Sequence, residues 1–325
     1  MPRDNQHPQR VNRVIDYIGE HLEGDLSLAH LAQVGCFSPF HFHRIFQTIT
    51  GETLNAHVRR VRLERAVSLL KASPGKRITD VALDTGFAGT AEFSRAFRGH
   101  FGRTASSWDR RSALEKSKIC KAPEGRSFYS EEELEQWKKK ANAQVRVETV
   151  RPFRFVYTRI FAPYSAGRLV DAYHALLAWL PTRCIDVRDV AVIGMSLDDP
   201  SITPAEHCRY DLGVGFPSAG GAAGVLEKMV RARGRRGPAA VLNASECAEA
   251  GYNLRELDLK QAAVMACAGD LGYVDRAWHY LYRNWLPQAA FEPADFPAME
   301  IFVQLPEEIG WETFNLLACL PVARL

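Results

Sequence analysis

Through the first third of the chain, apolar side chains recur every three or four residues. Val11, Val14, Ile15, Ile18 and Leu22 predict an amphipathic helix that stops at Gly24. Ser27 is placed to cap a second helix running into Leu31 and Ala32. Ser38-Pro39, a capping residue followed by proline in the first turn, opens a third. That helix turns Phe42, Ile45 and Phe46 to one side and Phe40, His43, Arg44 and Gln47 to others. A long helix from Leu54 to Lys71 follows, with Val58, Val61, Leu63, Ala66, Val67 and Leu70 on its apolar side. Ser73-Pro74-Gly75 breaks it.

The pattern then repeats. Ile78-Thr79-Asp80-Val81-Ala82 matches Leu28-Ala29-His30-Leu31-Ala32, and Gly86-Phe87 matches Cys36-Phe37. Phe93, Arg95 and Phe97 match Phe42, Arg44 and Phe46, and Phe101-Gly102 matches Thr50-Gly51. The offset is 50 residues before the turn and 51 after it. Helix, short turn, then a helix with an aromatic inner face is the helix-turn-helix pattern. Two copies on one connecting helix are a stronger signal than one. If the second helix of each copy lies in a major groove, its outer side chains reach base edges. Arg44 and Arg95 hold equivalent outward positions, where arginine either donates two bonds to guanine, clamps a phosphate or stays solvated. Phe40 either packs on thymine methyl groups or completes the core. Arg98 has no matched arginine in the first copy and reads as a phosphate contact. The candidate DNA contacts are Phe40, His43, Arg44 and Gln47 in the first copy and Thr90, Ala91, Ser94, Arg95 and Arg98 in the second.

Over residues 11–111 the chain resembles the DNA-binding domain of the AraC/XylS family. The resemblance rests on Ser38-Pro39-x-His41-Phe42-x-Arg44-x-Phe46, Gly51, Arg62-Leu63-x-x-Ala66, Ile78-x-Asp80-x-Ala82, Gly86-Phe87, Phe93-x-Arg95-x-Phe97 and Phe101-Gly102. It implies seven helices, with two recognition helices set about one DNA turn apart on adjacent major-groove segments. Ala105 and Trp108 stand where the family commonly has proline and tyrosine, which bears on the start of its last helix.

Residues 112–143 are mostly polar and read as a linker. Ser130 followed by Glu131-Glu132-Glu133 predicts a short exposed helix near 131–141 with a solvated charged face.

From Val145 the period changes to two. Val145–Val150 and Phe153–Thr158 read as strands, followed by a turn at Ala162-Pro163-Tyr164-Ser165 and a helix from Leu169 to Leu180. Strands Val190–Leu197 and Cys208–Phe216 come next. The order recurs as strand Ala262–Cys267, turn Gly269-Asp270-Leu271, a helix from Ala277 to Leu286, and strands Ala298–Gln304 and Phe314–Leu320. Ala172-Tyr173 and Ala277-Trp278 suggest an offset of 105. Two strand-helix-strand-strand halves side by side leave a groove, a common ligand position. Glu300 sits in the apolar strand Ala298-Met299-Glu300-Ile301-Phe302, on one face with Ala298 and Phe302. A lone carboxylate there is costly unless it is paired, protonated or offered to a cationic ligand. Either an unseen arginine pairs with it, or Tyr164, Tyr173, Trp278, Tyr282 and Trp285 wall a site for a cationic amphipathic molecule. Met195, at the 105 offset from Glu300, is the expected counterpart on the opposite wall. The candidate ligand residues are Tyr164, Met195, Trp278, Tyr282, Glu300 and Phe302.

Residues 145–325 resemble the GyrI-like small-molecule-binding domain. The matching residues are Ala162-Pro163-Tyr164, Asp198-Asp199-Pro200 with Thr203-Pro204, Arg209-Tyr210-Asp211, Trp278 with Trp285-Leu286-Pro287, and Glu300-Ile301-Phe302. The resemblance implies two pseudo-symmetric halves around a multidrug-type pocket with a central glutamate, carried here by Glu300. Gly269-Asp270-Leu271 departs from the family's second turn. The connector 217–260, with Arg231, Arg233, Arg235 and Arg236, is expected to be a partly helical mobile excursion with a solvated basic surface.

Charge sharpens this division. The chain carries 41 Lys+Arg and 38 Asp+Glu, a net of +3. Residues 1–111 hold 16 against 11, and the remainder 25 against 27. Only the first part is therefore expected to meet a polyanion. The seven cysteines form no C-x-x-C pair, so reduced thiols are expected and neither a metal nor a cofactor. No apolar stretch approaches the roughly 20 residues that span a bilayer, and the first ten residues lack a signal-peptide core. A cytoplasmic location away from membrane follows as an expectation.

The sequence thus reads as multidomain α and α+β. An all-helical double helix-turn-helix domain (1–111) and a linker (112–143) precede a duplicated strand-helix-strand-strand, GyrI-like domain (144–325). The expected function is a non-enzymatic, sequence-specific regulator that binds double-stranded DNA, with a small-molecule effector and RNA polymerase as further partners. Two rivals have the second domain as a hydrolase using Glu300 with Tyr282, or as a protein-binding module.

Overall fold

The computed structural model describes residues 6–72, 75–108, 129–141, 143–165, 167–199, 202–216, 224–226, 242–294 and 296–324. It divides into two compact units, Met1–Arg126 with Asp199–Cys208, and Ser127–Asp198 with Arg209–Leu325.

The first unit is helical: α1 (His7–Glu20), α2 (Leu28–Val34), α3 (Pro39–Thr50), α4 (Leu54–Ala72), α5 (Ile78–Asp84) and α6 (Thr90–Phe101). Ser27 caps α2 by accepting from the His30 N–H, as its sequence position suggested. Val11, Val14, Ile15, Ile18, Leu31, Phe42 and Phe46 are buried in the first motif. Leu63, Val67 and Leu70 of α4 join Val81, Phe87, Phe93, Phe97 and Phe101 in the second, where Ile202 is also buried. The two turns use the same backbone. Cys36 (φ 54°) and Gly86 (φ 79°) are both left-handed. At Gly86 the choice is forced twice, because a Cβ would lie 2.0 Å from the Leu22 carbonyl oxygen. A 3₁₀ turn at Ala105–Ser107 follows, capped by Thr104, and brings Trp108 edge-on to Phe97 at 5.3 Å. Residues 109–128 lie outside the described residues.

A buried ionic chain braces α4. Glu52 accepts from Arg60 at 2.6 Å and meets His57 at 2.8 Å, Arg60 bonds Glu64 at 3.1 Å, and the Thr203 hydroxyl donates to Glu64 at 2.6 Å. Burial opposes the Glu52 charge, but the bonds from His57 and Arg60 outweigh it and hold the carboxyl well below its usual range. A depressed carboxyl contributes stability above its unfolded value and loses it as the folded form is protonated. Acid unfolding should therefore set in as pH falls below about 4.5, the ordinary value for this group. Glu52→Gln should flatten that acid limb in a melting-temperature series; an unchanged limb would place the proton uptake elsewhere.

The second unit is a nine-stranded sheet, with the long helix of each half on one face and Val225 and Leu226 buried against the other. Its strands are β1 (Val145–Val150), β2 (Phe153–Phe161), β3 (Ala191–Ser196), β4 (Arg209–Phe216), β5 (Asn253–Leu257), β6 (Lys260–Gly269), β7 (Phe291–Pro293), β8 (Ala298–Gln304) and β9 (Phe314–Arg324). The order is β1-β6-β9-β8-β3-β4-β2-β5, with β7 beside β9. The middle six strands run β6-β9-β8 against β3-β4-β2, so the duplicated halves meet where β3 pairs β8. Helix α8 (Arg168–Trp179) packs its Tyr173 and Leu176 on the first half. The second half's helix is α10 (Leu271–Tyr280), which continues through a π turn to Trp285.

Three sequence expectations change here. The linker helix α7 (Glu131–Lys140) has the predicted capping box at Ser130, but it is not exposed all round. Leu134 is fully buried, and Trp137 packs edge-on to Tyr273 because one apolar stripe suffices to dock an otherwise charged helix. The connector 217–260 contains α9 (Ala244–Glu249) and the edge strand β5, which pairs with β2 and so belongs to the sheet. Arg231, Arg233, Arg235 and Arg236 lie outside the described residues. The start of the α10 helix is earlier than periodicity suggested, because the Asp270 side chain caps it by accepting from the Tyr273 N–H.

Candidate DNA interface and ligand site

The two aromatic-backed helices, α3 and α6, present matching outer faces. Phe42 and Phe46, like Phe93 and Phe97, are fully buried, so the side chains between them point outward. His43, Arg44 and Gln47 are exposed on α3; Ala91, Arg95 and Arg98 are exposed on α6, with Thr90 and Ser94 half-buried beside them. Phe40 is 92% exposed, which rules out its completing the core. An apolar ring this open is costly unless something covers it. The helix-bound arginines divide into two groups. Arg60 is held by Glu52 and Glu64, and Arg62 donates to the Leu22 carbonyl at 3.0 and 2.8 Å. Among the described residues, Arg44, Arg95 and Arg98 have no ion-pair partner, so their guanidinium donors remain available.

In the second unit the chemistry gathers on the helical face of the β3–β8 seam. The register opposes Gly194 to Glu300. Glu300 is half-buried, and the Trp278 Nε1–H donates to its Oε1 at 3.0 Å while the Tyr210 hydroxyl donates to its Oε2 at 2.8 Å. Burial raises the Glu300 carboxyl above its usual range, against the pull of those two bonds. Burial first, then the neighbouring carboxylate, push the Tyr210 phenol far up, so it acts as a donor. No cation pairs with Glu300 among the described residues, so the arginine partner considered from sequence is absent there. Phe302, on the same face, packs against the hydrophobic clusters under both α8 and α10. Tyr282 is 45% exposed and lies with its ring 6.2 Å from Trp278, and Tyr164, equally exposed, is in electrostatic reach of Tyr210.

Met195 does not join them. It is buried on the opposite face of the sheet with Phe155, Tyr157 and Met299. The reason is register. Gly194 and Glu300, and equally the cross-strand partners Leu212 and Ala318, are 106 residues apart, not 105. A one-residue slip moves a side chain through the sheet. The counterpart of Glu300 is therefore Gly194. Its missing side chain is what lets Tyr210 reach across: a Cβ there would lie 1.7 Å from the Tyr210 hydroxyl oxygen. Neither Gly194 nor Tyr210 stood out singly in the sequence, although Tyr210 lies in the Arg209-Tyr210-Asp211 signature. Gly194→Ala should expel the phenol, leave Glu300 with one donor, and cost about 1–3 kcal/mol of stability as an overpacked site. Unchanged tyrosine fluorescence and melting temperature would refute this packing.

The geometry of two helix-turn-helix motifs on one connecting helix, with a duplicated sheet domain after them, defines a DNA-binding transcriptional regulator with a small-molecule-binding domain. A helix-turn-helix domain model matches residues 31–111, and the GyrI-like small molecule binding domain model matches residues 143–322. The regulatory protein SoxS of Salmonella typhimurium is 33% identical over 105 residues, 32% of this chain and 97% of that protein. The transcriptional regulator Rob of the same organism is 29% identical over 102 residues, 31% of this chain and 35% of that protein. The C-terminal domain of EcmrR superposes with a TM-score of 0.38 at 9% identity, covering 56% of this chain and 99% of that one. The chain belongs to the AraC-type helix-turn-helix regulators that carry a GyrI-like domain, a Rob-like architecture. No described helix is long and apolar enough to cross a membrane.

Proposed function

We propose that the GyrI-like domain, residues 144–325, binds a cationic amphipathic effector with Glu300 as its counter-charge. The observation that carries this is the Glu300 carboxylate, gripped by two neutral donors, with no described cation to balance it. Trp278, Tyr282, Tyr164 and Phe302 supply aromatic surface for the rest of the molecule. In the DNA-binding domain, residues 1–111, Arg44 and Arg95 read base edges, Phe40 packs on a methyl group, and Arg98 holds a phosphate. His43, Gln47, Thr90, Ala91 and Ser94 complete the two reading faces. The effector changes DNA binding only through a difference in its affinity for the active and inactive arrangements. RNA polymerase in the cytoplasm is the partner that turns binding into regulation. The geometry gives the hydrolase alternative no support. Tyr210 and Trp278, not Tyr282, bond Glu300, and both present donors to it.

The test is titration with tetraphenylphosphonium and, beside it, neutral triphenylphosphine oxide. The cation should bind more tightly. Because the Glu300 carboxyl lies above its ordinary value and the cation needs it ionised, affinity should rise with pH through the mildly acidic range and then level off. Binding in that range should release protons, seen as a buffer-dependent calorimetric heat. Equal affinity for both probes, flat with pH, would sink the assignment.

A further inference from the structure

The two reading helices carry the same inner aromatics and the same arginine, yet their approaches are electrostatically unlike. Beside the start of α3 lies an open cavity of about 370 Å³. Its lining includes His7 and Arg10 from α1, Phe37 from the turn, and Ser38, His41 and Arg44 from α3, with no carboxylate among them. Arg10 is fixed in place: its guanidinium lies 3.8 Å over the Phe37 ring, and its Nε–H donates to the Gly35 carbonyl at 2.8 Å. That leaves the other end of the guanidinium fork to face the cavity. The Ser38 hydroxyl makes no capping bond, unlike Ser27 and Ser130 at their helices.

At the 51-residue offset, the second motif has Gly89 for Ser38 and Glu92 for His41. Glu92 spends its carboxylate on its own turn, accepting the Ala88 N–H at 3.3 Å. Thus one motif offers two histidines, two arginines and a spare hydroxyl, and the other offers a negative charge at the equivalent place.

We propose that this cavity is a backbone-phosphate site, and that the first motif grips duplex DNA through it while the second motif has no counterpart. Arg10 donates to the phosphate from the α1 side, and Ser38 and His41 donate from α3. A backbone phosphodiester, a tetrahedral monoanion with two non-bridging acceptor oxygens, matches donors converging from two helices. The site rests on the reading of α3 as a groove-bound helix, but not on which bases Arg44 or Arg95 recognises. It fixes position on DNA without specifying sequence.

The test measures the full-length protein on a mixed-sequence duplex over a range of salt. Arg10→Gln should lower the magnitude of the log K against log salt slope by about one, the value of one lost phosphate contact. His41→Glu, which copies the second motif at an exposed position and spares the fold, should weaken binding about tenfold or more, equally on every sequence. Replacing backbone phosphates one at a time by uncharged methylphosphonate should reveal one position that costs the wild type and costs His41→Glu little. Unchanged slopes in both variants, or additive effects at every phosphate, would overturn the proposal. A loss confined to one preferred sequence would do so too, as it would make these residues base readers. Millimolar inorganic phosphate at constant ionic strength should compete no better with wild type than with His41→Glu; selective competition would make the cavity a free-anion site instead.

Discussion

Glu300→Gln should bind lipophilic cations about 100-fold more weakly, roughly 2.7 kcal/mol, while its affinity for neutral analogues stays within about twofold. The glutamine keeps the shape: its carbonyl oxygen accepts from Trp278, and its NH2 donates to the Tyr210 hydroxyl oxygen once that hydroxyl turns its proton away, so the negative charge is removed with both contacts kept. The same change should raise the melting temperature at pH 7–8. The sign follows from the raised carboxyl: above the folded-state value, the ionised form is penalised in the folded protein relative to the unfolded chain. A neutral side chain escapes that penalty, and the gain should fade toward pH 4, where the wild-type group is itself protonated. Affinity and stability thus move in opposite directions, as expected where a site holds a charge ready for a partner. If the variant loses neutral and cationic ligands alike, Glu300 shapes the pocket and does not balance charge. If it also loses stability at neutral pH, the two hydrogen bonds outweigh burial and the direction assigned to its carboxyl is wrong.

Arg95→Ala should cost about 1–3 kcal/mol on the preferred site and relax discrimination at one base pair of the half-site read by α6. Arg44→Ala should do the same in the other half-site. The two are borne by different motifs and share no partner, so the double variant should show summed losses within about 0.5 kcal/mol. Selection from random DNA by the wild type and each variant supplies the comparison. The structure favours this outcome because both guanidiniums project from equivalent turns, with no ion pair among the described residues to restrain them. Loss that is uniform over all sequences, with a shallower salt slope, would reassign either residue to phosphate, as expected of Arg98.

Much of the helical unit was legible from the chain. Apolar spacing, capping serines and the 50–51 residue repeat placed all six helices, and the aromatic face identified which two turn polar side chains outward. Phe40 was left between core and surface because a helix start has few neighbours along the sequence to settle its burial; the fold leaves it 92% exposed. The sheet unit was legible in order but not in register. Strand alternation located Glu300 on the sheet face it shares with Phe302, yet an offset taken from the helices missed the strands by one residue. That single residue exchanged Gly194 for Met195. The edge strand β5, Asn253–Leu257, escaped because its polar sequence carries too little alternation to signal pairing.

The sequence by itself determined the repeated motif, the matched arginines, the duplicated sheet domain and the isolated carboxylate, since each follows from local periodicity or residue type. Only the tertiary structure decided what surrounds that carboxylate. Tyr210 and Trp278 lie 90 and 22 residues from Glu300 along the chain, and they meet it through strand register and a glycine that clears the way. Cross-strand neighbours are fixed by hydrogen-bond pairing between distant segments, which no local pattern specifies.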